Sequence, residues 1–142
     1  MKVLVINGPN MNLLGQREPE IYGTKTLEDL EKLLTKEAED LHIEVEFFQS
    51  NHEGEIIDTI HRAMIEKIDG IILNPAALTH YSYAIHDAIK GAGVKTIEVH
   101  MSNISAREEF RSKSVIAPAC MGQISGFGFD SYVTALYLLK RG

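Results

Sequence analysis

The chain has 142 residues, 44% of them apolar and 24% charged, with a formal net charge of −6, which suits one ordinary globular domain spanning residues 1–142. An acidic balance argues against nucleic acid or an anionic membrane as the main partner, because both reward a basic face. No stretch approaches the roughly twenty apolar residues of a membrane span, the first apolar run breaks too early for a signal peptide, and the single Cys120 excludes an internal disulfide and fits the cytoplasm.

Lys2–Ile6 is a short β-branched and apolar run, which reads as a buried strand stopped at once by Asn7-Gly8-Pro9-Asn10. A polar loop of residues 8–24 follows without a clean period and carries Asn10, Asn12, Arg17, Glu20 and Tyr22. Loops of that length in a small domain are often functional lids. Thr24 or Thr26 can cap a first long helix over about 27–41, where Leu27, Leu30, Leu33, Leu34 and Leu41 recur at helical spacing. Ile43, Val45 and Phe47 alternate with Glu44, Glu46 and Phe48, which predicts an edge strand. A helix near 54–67 carries Ile56, Ile57, Ile60, Met64 and Ile65. Gly70–Leu73 reads as a central strand closed by Asn74-Pro75, buried on both faces.

A helix over about 80–91 is expected to end at Gly91, and Val94–Val99 forms a fourth strand leading into His100. A short charged helix is expected over Ser105–Phe110, a fifth strand at Val115–Pro118, a glycine-rich turn at 122–128, and a last helix at about 129–140. Strands alternating with helices mean a parallel sheet covered on both faces. With five strands, the expected architecture is a flavodoxin-like α/β sandwich of order 2-1-3-4-5, whose switch point lies between strands one and three.

Polar residues at the strand ends would converge there. Asn7 and Asn10 follow strand one, Asn74 follows strand three, and Glu98 and His100 belong to strand four. Spaced by two, Glu98 and His100 share one side of an extended chain. A carboxylate beside an imidazole orients the ring and favours its charged form, the usual setting for a histidine that moves protons. His80 joins them from the start of the third long helix, and Arg107 and Arg111, four apart, share a helical face that could meet an anion. His42, His52, His61 and His86 read as structural or exposed.

A phosphate-binding GxxxxGK[ST] loop is absent, and the loop after strand one is too poor in hydroxyls for a flavodoxin phosphate site. Asn7 and Asn74 stand where a phospho-receiver domain would need acids. His80, Glu98 and His100 could suggest zinc, but the neighbouring arginines work against a cation, so no metal is expected. A nucleotide- or flavin-binding module and an inactive scaffold of the same fold are the alternative readings to an enzyme.

With those residues in view, the chain resembles the type II 3-dehydroquinate dehydratases. The matching blocks are INGPNMNLLGQREPEIYG (6–23), QSNHEGEIID (49–58), ILNPAALTHYSYAIHDAI (72–89), EVHMSNISAREEFR (98–111) and GQISGFGFDSY (122–132). The resemblance implies the flavodoxin-like fold and a homododecamer built as four trimers. It implies a cofactor-free reaction, 3-dehydroquinate losing water to 3-dehydroshikimate by anti elimination through an enolate.

By the same resemblance, Tyr22 is the base, acting as a tyrosinate. Free tyrosine has a pKa of about 10, and Arg17 is the cation that would favour the phenolate. Asn10 helps hold a water against the enolate, His100 protonates the departing hydroxyl, and Glu98 orients His100. Asn74, His80 and Arg111 match residues that bind substrate hydroxyls, while the backbone N–H groups of Met101 and Ser102 match the carboxylate site. Glu20 and Arg107 match lid residues that support the site's charge balance, and Asp87 matches a carboxylate that reaches a neighbouring subunit's site.

Overall fold

The computed structural model describes every residue except Arg17, and for Ile21 and Tyr22 it describes the backbone alone. Among the described residues, β1 (Lys2–Asn7), β2 (Glu44–Gln49), β3 (Gly70–Asn74), β4 (Thr96–His100) and β5 (Gly122–Ser125) form a parallel sheet of order β2-β1-β3-β4-β5. The helices are α1 (Pro19–Tyr22), α2 (Leu27–Asp40), α3 (Glu53–Ile65), α4 (Tyr83–Ala92), α5 (Glu109–Ser112) and α6 (Asp130–Arg141). The α/β class, the strand order and the position of β2 at an edge are those expected from the sequence.

Strand alternation divides the core in two. Val3, Val5, Ile72, Ile97 and Val99 face α2 and α6, where they meet Leu30, Leu34, Tyr132, Leu136 and Leu139. Leu4, Ile6, Ile71 and Leu73 face α3 and α4, where they meet Ile56, Ile60, Ile85 and Ile89. Each fully buried leucine or isoleucine contributes about 1.5–3 kcal/mol relative to exposure. The helix α2 starts where a capping box starts it: Thr26 Oγ1 accepts from Asp29 N at 3.2 Å, and Asp29 Oδ2 accepts from Thr26 N at 2.9 Å. Those bonds hold the Asp29 carboxyl below the usual carboxylate range. The cap is therefore Thr26 rather than Thr24.

Four local expectations are corrected. The fifth strand is Gly122–Ser125 and not Val115–Pro118, whose region instead holds a 3-10 turn at Ala117–Ala119. Pro118 cannot donate to a ladder, and the segment is held by other bonds, including Val115 N to Thr79 O at 2.9 Å. The helix expected at 80–91 begins only at Tyr83, capped by Ser82, and runs through Gly91 to a left-handed cap at Gly93. His80 instead ends a 3-10 turn over Ala76–His80. Finally, the helix expected over Ser105–Phe110 divides into a 3-10 turn at Ile104–Ala106 and the single turn of α5, with Arg107 extended between them.

Candidate active site

Three loops leave the carboxyl ends of β1, β3 and β4 beside the switch point and enclose one cavity. Asn10 and Met11 come from the first loop, Asn74 and His80 from the second, and His100, Met101, Ser102, Arg107 and Arg111 from the third. Close approach of the first two loops depends on Gly8, whose N–H donates to Asn74 O at 2.8 Å. A Cβ there would lie 2.7 Å from Pro75 O, backbone against backbone, so only glycine fits.

Polar side chains lock the same region from behind. Asn7 and Asn74 are register partners on β1 and β3. The fully buried Tyr132 of α6 donates its hydroxyl to Asn7 Oδ1 at 2.6 Å and accepts from Asn74 Nδ2 at 2.8 Å. Asn74 Oδ1 accepts from Ala76 N at 3.1 Å, holding a turn in which Ala76 takes φ 54°. Asn74 Nδ2 also lies 3.8 Å from Met11 Sδ, so this amide ties the two loops together. Burial pushes the Tyr132 phenol well above the ordinary tyrosine value, against a smaller opposing effect of the Asn74 bond. Tyr132 is thus a neutral anchor and unsuited to act as a tyrosinate.

Asn10 sits exposed at the cavity mouth with φ 70°, a left-handed conformation that asparagine tolerates. Its N–H donates to Asn51 Oδ1 at 2.9 Å, while Gln49 Nε2 donates to Gly8 O and to Asn51 Oδ1, both at 3.2 Å. The end of β2 therefore braces the loop that presents Asn10. Further along, the loop folds back at Gly15 (φ 91°), where a Cβ would lie 2.8 Å from Thr24 O.

Glu98 and His100 lie side by side on β4, as their spacing of two predicts. Glu98 is fully buried, and His100 Nε2 lies 2.6 Å from Glu98 Oε2. Gln123 Nε2 donates to the same oxygen at 2.6 Å, and Ser114 Oγ donates to Oε1 at 2.8 Å. With Nε2 occupied by Glu98, Nδ1 is the ring atom left to the cavity. Cys120 lies close behind: its thiol is pushed up to about 12 by burial first and by the Glu98 charge second.

The opposite wall suits an anion. His80 donates from Nδ1 to Lys113 O at 2.8 Å, which fixes the ring and leaves Nε2 as its second polar atom. Arg111 Nε stands 3.5 Å from Glu108 Oε1 and makes no hydrogen bond among the described residues, while its guanidinium lies 4.6 Å from the Phe110 ring centroid. Arg107 also lines the cavity, so both arginines reach it, though from two short elements rather than from one helical face. Among the described residues, the backbone N–H groups of Met101 and Ser102 have no hydrogen-bond partner, and both residues line the cavity. No group of three or more His, Cys, Asp or Glu among the described residues could hold a metal ion.

The structure thus brings together Asn10, Asn74, His80, His100, Met101, Ser102, Arg107 and Arg111 on the cavity wall, with Glu98 behind His100. Glu20 is exposed on α1, and Asp87 is exposed on α4, outside the cavity lining. Arg17 and the Tyr22 side chain lie outside the described residues; the Tyr22 backbone closes α1. Sequence reasoning missed Asn51, Ser114, Gln123 and Tyr132 as parts of this site. Each contacts it from a distant element, and a lone Ser, Gln or Asn carries no local signal. Tyr132, an aromatic residue on the sheet-facing side of α6, carried only a core signal.

The family model described as dehydroquinase class II matches residues 1–140. The chain belongs to the class II dehydroquinase family. It is accordingly a hydro-lyase. A 3-dehydroquinate dehydratase of Caldicellulosiruptor bescii is 70% identical, with the match covering 99% of this chain and 97% of the relative. One from Clostridium perfringens is 60% identical over 99% and 98%. Among solved structures, the type II dehydroquinase of Butyrivibrio crossotus superposes with a TM-score of 0.96 at 52% identity, covering 98% of this chain and 97% of that one. The Propionibacterium acnes enzyme gives a TM-score of 0.96 at 42% identity, over 99% and 97%.

Proposed function

We propose that the chain dehydrates 3-dehydroquinate to 3-dehydroshikimate by anti elimination through an enolate, with Tyr22 as tyrosinate base and His100 as general acid. Loss of water from 3-dehydroquinate is the reaction of the relatives just described, and the chain matches them over nearly its whole length. The mechanism rests on one observation above all: a histidine on the cavity wall bound through Nε2 to a fully buried carboxylate. An ionised Glu98 holds the Nε2 proton, so the charged ring offers its second proton, on Nδ1, to a leaving group.

The proton balance follows. Tyr22 O⁻ takes the proton α to the ketone, the electrons pass into an enolate, and a water held in part by Asn10 stabilises the developing oxyanion. Collapse of the enolate expels the hydroxyl as His100 Nδ1 protonates it, and water leaves. Tyr22 ends neutral with one proton more and His100 with one fewer, so transfer of a proton between them resets the site without a cofactor. Arg17 supplies the positive charge that favours the phenolate. Residues 8–24 close as a lid, with Glu20 and Arg107 supporting its charge balance. The Met101 and Ser102 N–H groups receive the substrate carboxylate, and Asn74, His80 and Arg111 its hydroxyls. Asn74 can do so in two ways, by exchanging the weak Met11 contact of Nδ2 for a substrate oxygen or by accepting from a hydroxyl on Oδ1, where Ala76 N takes one of two lone pairs.

The chain acts in the cytoplasm as a single-domain protomer of a dodecamer of four trimers, in which Asp87 reaches a neighbour's site. Asp87 lies on α4 one turn after Tyr83, which is 67% exposed, and Tyr81 just ahead of the helix is 61% exposed, aromatic surface suited to burial by another subunit. Ultraviolet absorbance tests the reaction, because dehydration creates a conjugated enone. Wild type should produce that rise with no added cofactor; Tyr22→Phe and His100→Ala should each lose about 100-fold or more in kcat. Full activity in Tyr22→Phe would discard the tyrosinate, and no rise in folded wild type would discard the reaction in favour of a binding module.

A further inference from the structure

Glu98 is held by more than its histidine, and the way it is held determines which proton His100 carries. Ser114 Oγ accepts two backbone N–H bonds, from Ile116 at 3.2 Å and Ala117 at 2.9 Å. Those bonds occupy both hydroxyl lone pairs, so the Ser114 proton has to point at Glu98 Oε1, 2.8 Å away. A proton on Oε1 would then face another proton. On the other oxygen, Gln123 Nε2 donates at 2.6 Å beside His100 Nε2, also at 2.6 Å. With Ser114 donating to Oε1 and Gln123 to Oε2, both Glu98 oxygens are set as acceptors, and His100 Nε2 meets the second of them. When His100 Nε2 donates to that oxygen, a neutral ring carries its lone pair on Nδ1, the ring atom left to the cavity.

From this we propose that Ser114 and Gln123 are positioning residues that fix His100 in the Nε2–H tautomer, so that Nδ1 is the atom that carries and delivers the proton. The inference rests on His100 as general acid but adds two residues that are not among those lining the cavity. They come from elements far apart in sequence: Ser114 opens the turn before Ala117–Ala119, and Gln123 belongs to the edge strand β5. Gln123 is exposed as a residue, so shortening it leaves the core untouched. Ser114→Ala removes the donor and also the turn's acceptor, whereas Ser114→Thr keeps both, which separates wiring from folding.

The experiment is nitrogen-15 spectroscopy of histidine-labelled, assembled protein with a neutral His100, run beside steady-state kinetics. Wild type and Ser114→Thr should show a protonated Nε2 and an unprotonated Nδ1. Gln123→Ala and Ser114→Ala should move His100 toward a mixture of tautomers and lower kcat about tenfold or more, with KM changed less than twofold. An unchanged tautomer in both variants overturns the proposal whatever the rate does, and a shifted tautomer with unchanged kcat overturns its catalytic part. His100→Ala distinguishes the underlying reading: full activity there would remove the acid role while leaving the measured tautomer standing.

Discussion

Removing one oxygen atom from Tyr132 is the sharpest test of how the sheet holds the site. In Tyr132→Phe the ring still fills the pocket between α6 and the sheet, so little packing is lost, but the hydroxyl bridging Asn7 and Asn74 is gone. Each of those bonds contributes about 1 kcal/mol net, and each buried polar atom left unpaired costs about 1–3 kcal/mol. Asn7 and Asn74 are Cα partners on adjacent strands, so their amides can swing toward one another and recover part of the loss. The worked expectation is a destabilisation of about 2–4 kcal/mol, read as a lower denaturation midpoint in urea followed by circular dichroism at fixed subunit concentration. That swing takes the Asn74 amide away from Met11 and the cavity, so KM should rise more than kcat falls. A variant within about 0.5 kcal/mol of wild type, with unchanged KM, would show that the bridge does not set Asn74 and would refute the reasoning.

Gly8→Ala should separate the first two loops, costing about 1–3 kcal/mol and most of the activity; a crystal structure with the Gly8–Asn74 bond intact would contradict it. Glu98→Gln should lower kcat about 100-fold in the absorbance assay while leaving substrate affinity within a few-fold, since Glu98 lies behind the wall. Cys120 should resist iodoacetamide at pH 8 in the native protein, because burial keeps it a thiol up to about 12. The sign for stability follows from the same shift: the folded state keeps a proton that the unfolded thiol gives up. Stability is whole below the ordinary thiol range and falls as pH rises from there toward 12, and Cys120→Ala should flatten that alkaline decline in urea titrations. By contrast, Arg62→Ala should cost less than about 1 kcal/mol, since the Arg62–Glu46 pair is a third exposed on each side.

The strand order and the two-faced core were legible because they follow from periodicity. Alternation in Ile43–Phe48 and repeats such as Leu30/Leu34 and Ile56/Ile60 declare which side a residue buries, unbroken apolar runs such as Val3–Ile6 mark strands covered on both faces, and a strand–helix alternation leaves few topologies. The Glu98–His100 pair was equally legible, because two residues apart on a strand is a distance that local geometry fixes. The errors lie where local pattern and tertiary contact compete. Val115–Pro118 is apolar enough for a strand, yet the edge position beside β4 went to Gly122–Ser125, which has free N–H groups to pair with Ile97–His100 where Pro118 has none. Arg107 and Arg111 carry helical spacing, and the cavity wall still receives them from separate turns.

The sequence by itself determined the layers, the strand-end chemistry and the family. Only the tertiary structure decided what stands behind that chemistry: Ser114 and Gln123 on Glu98, Tyr132 between two asparagines, and Asn51 under Asn10. Those contacts join residues up to 125 positions apart, and a hydrogen bond at such separation leaves no period, spacing or composition to read. Its geometry exists only once burial has brought the two ends of the chain to the same side of one sheet.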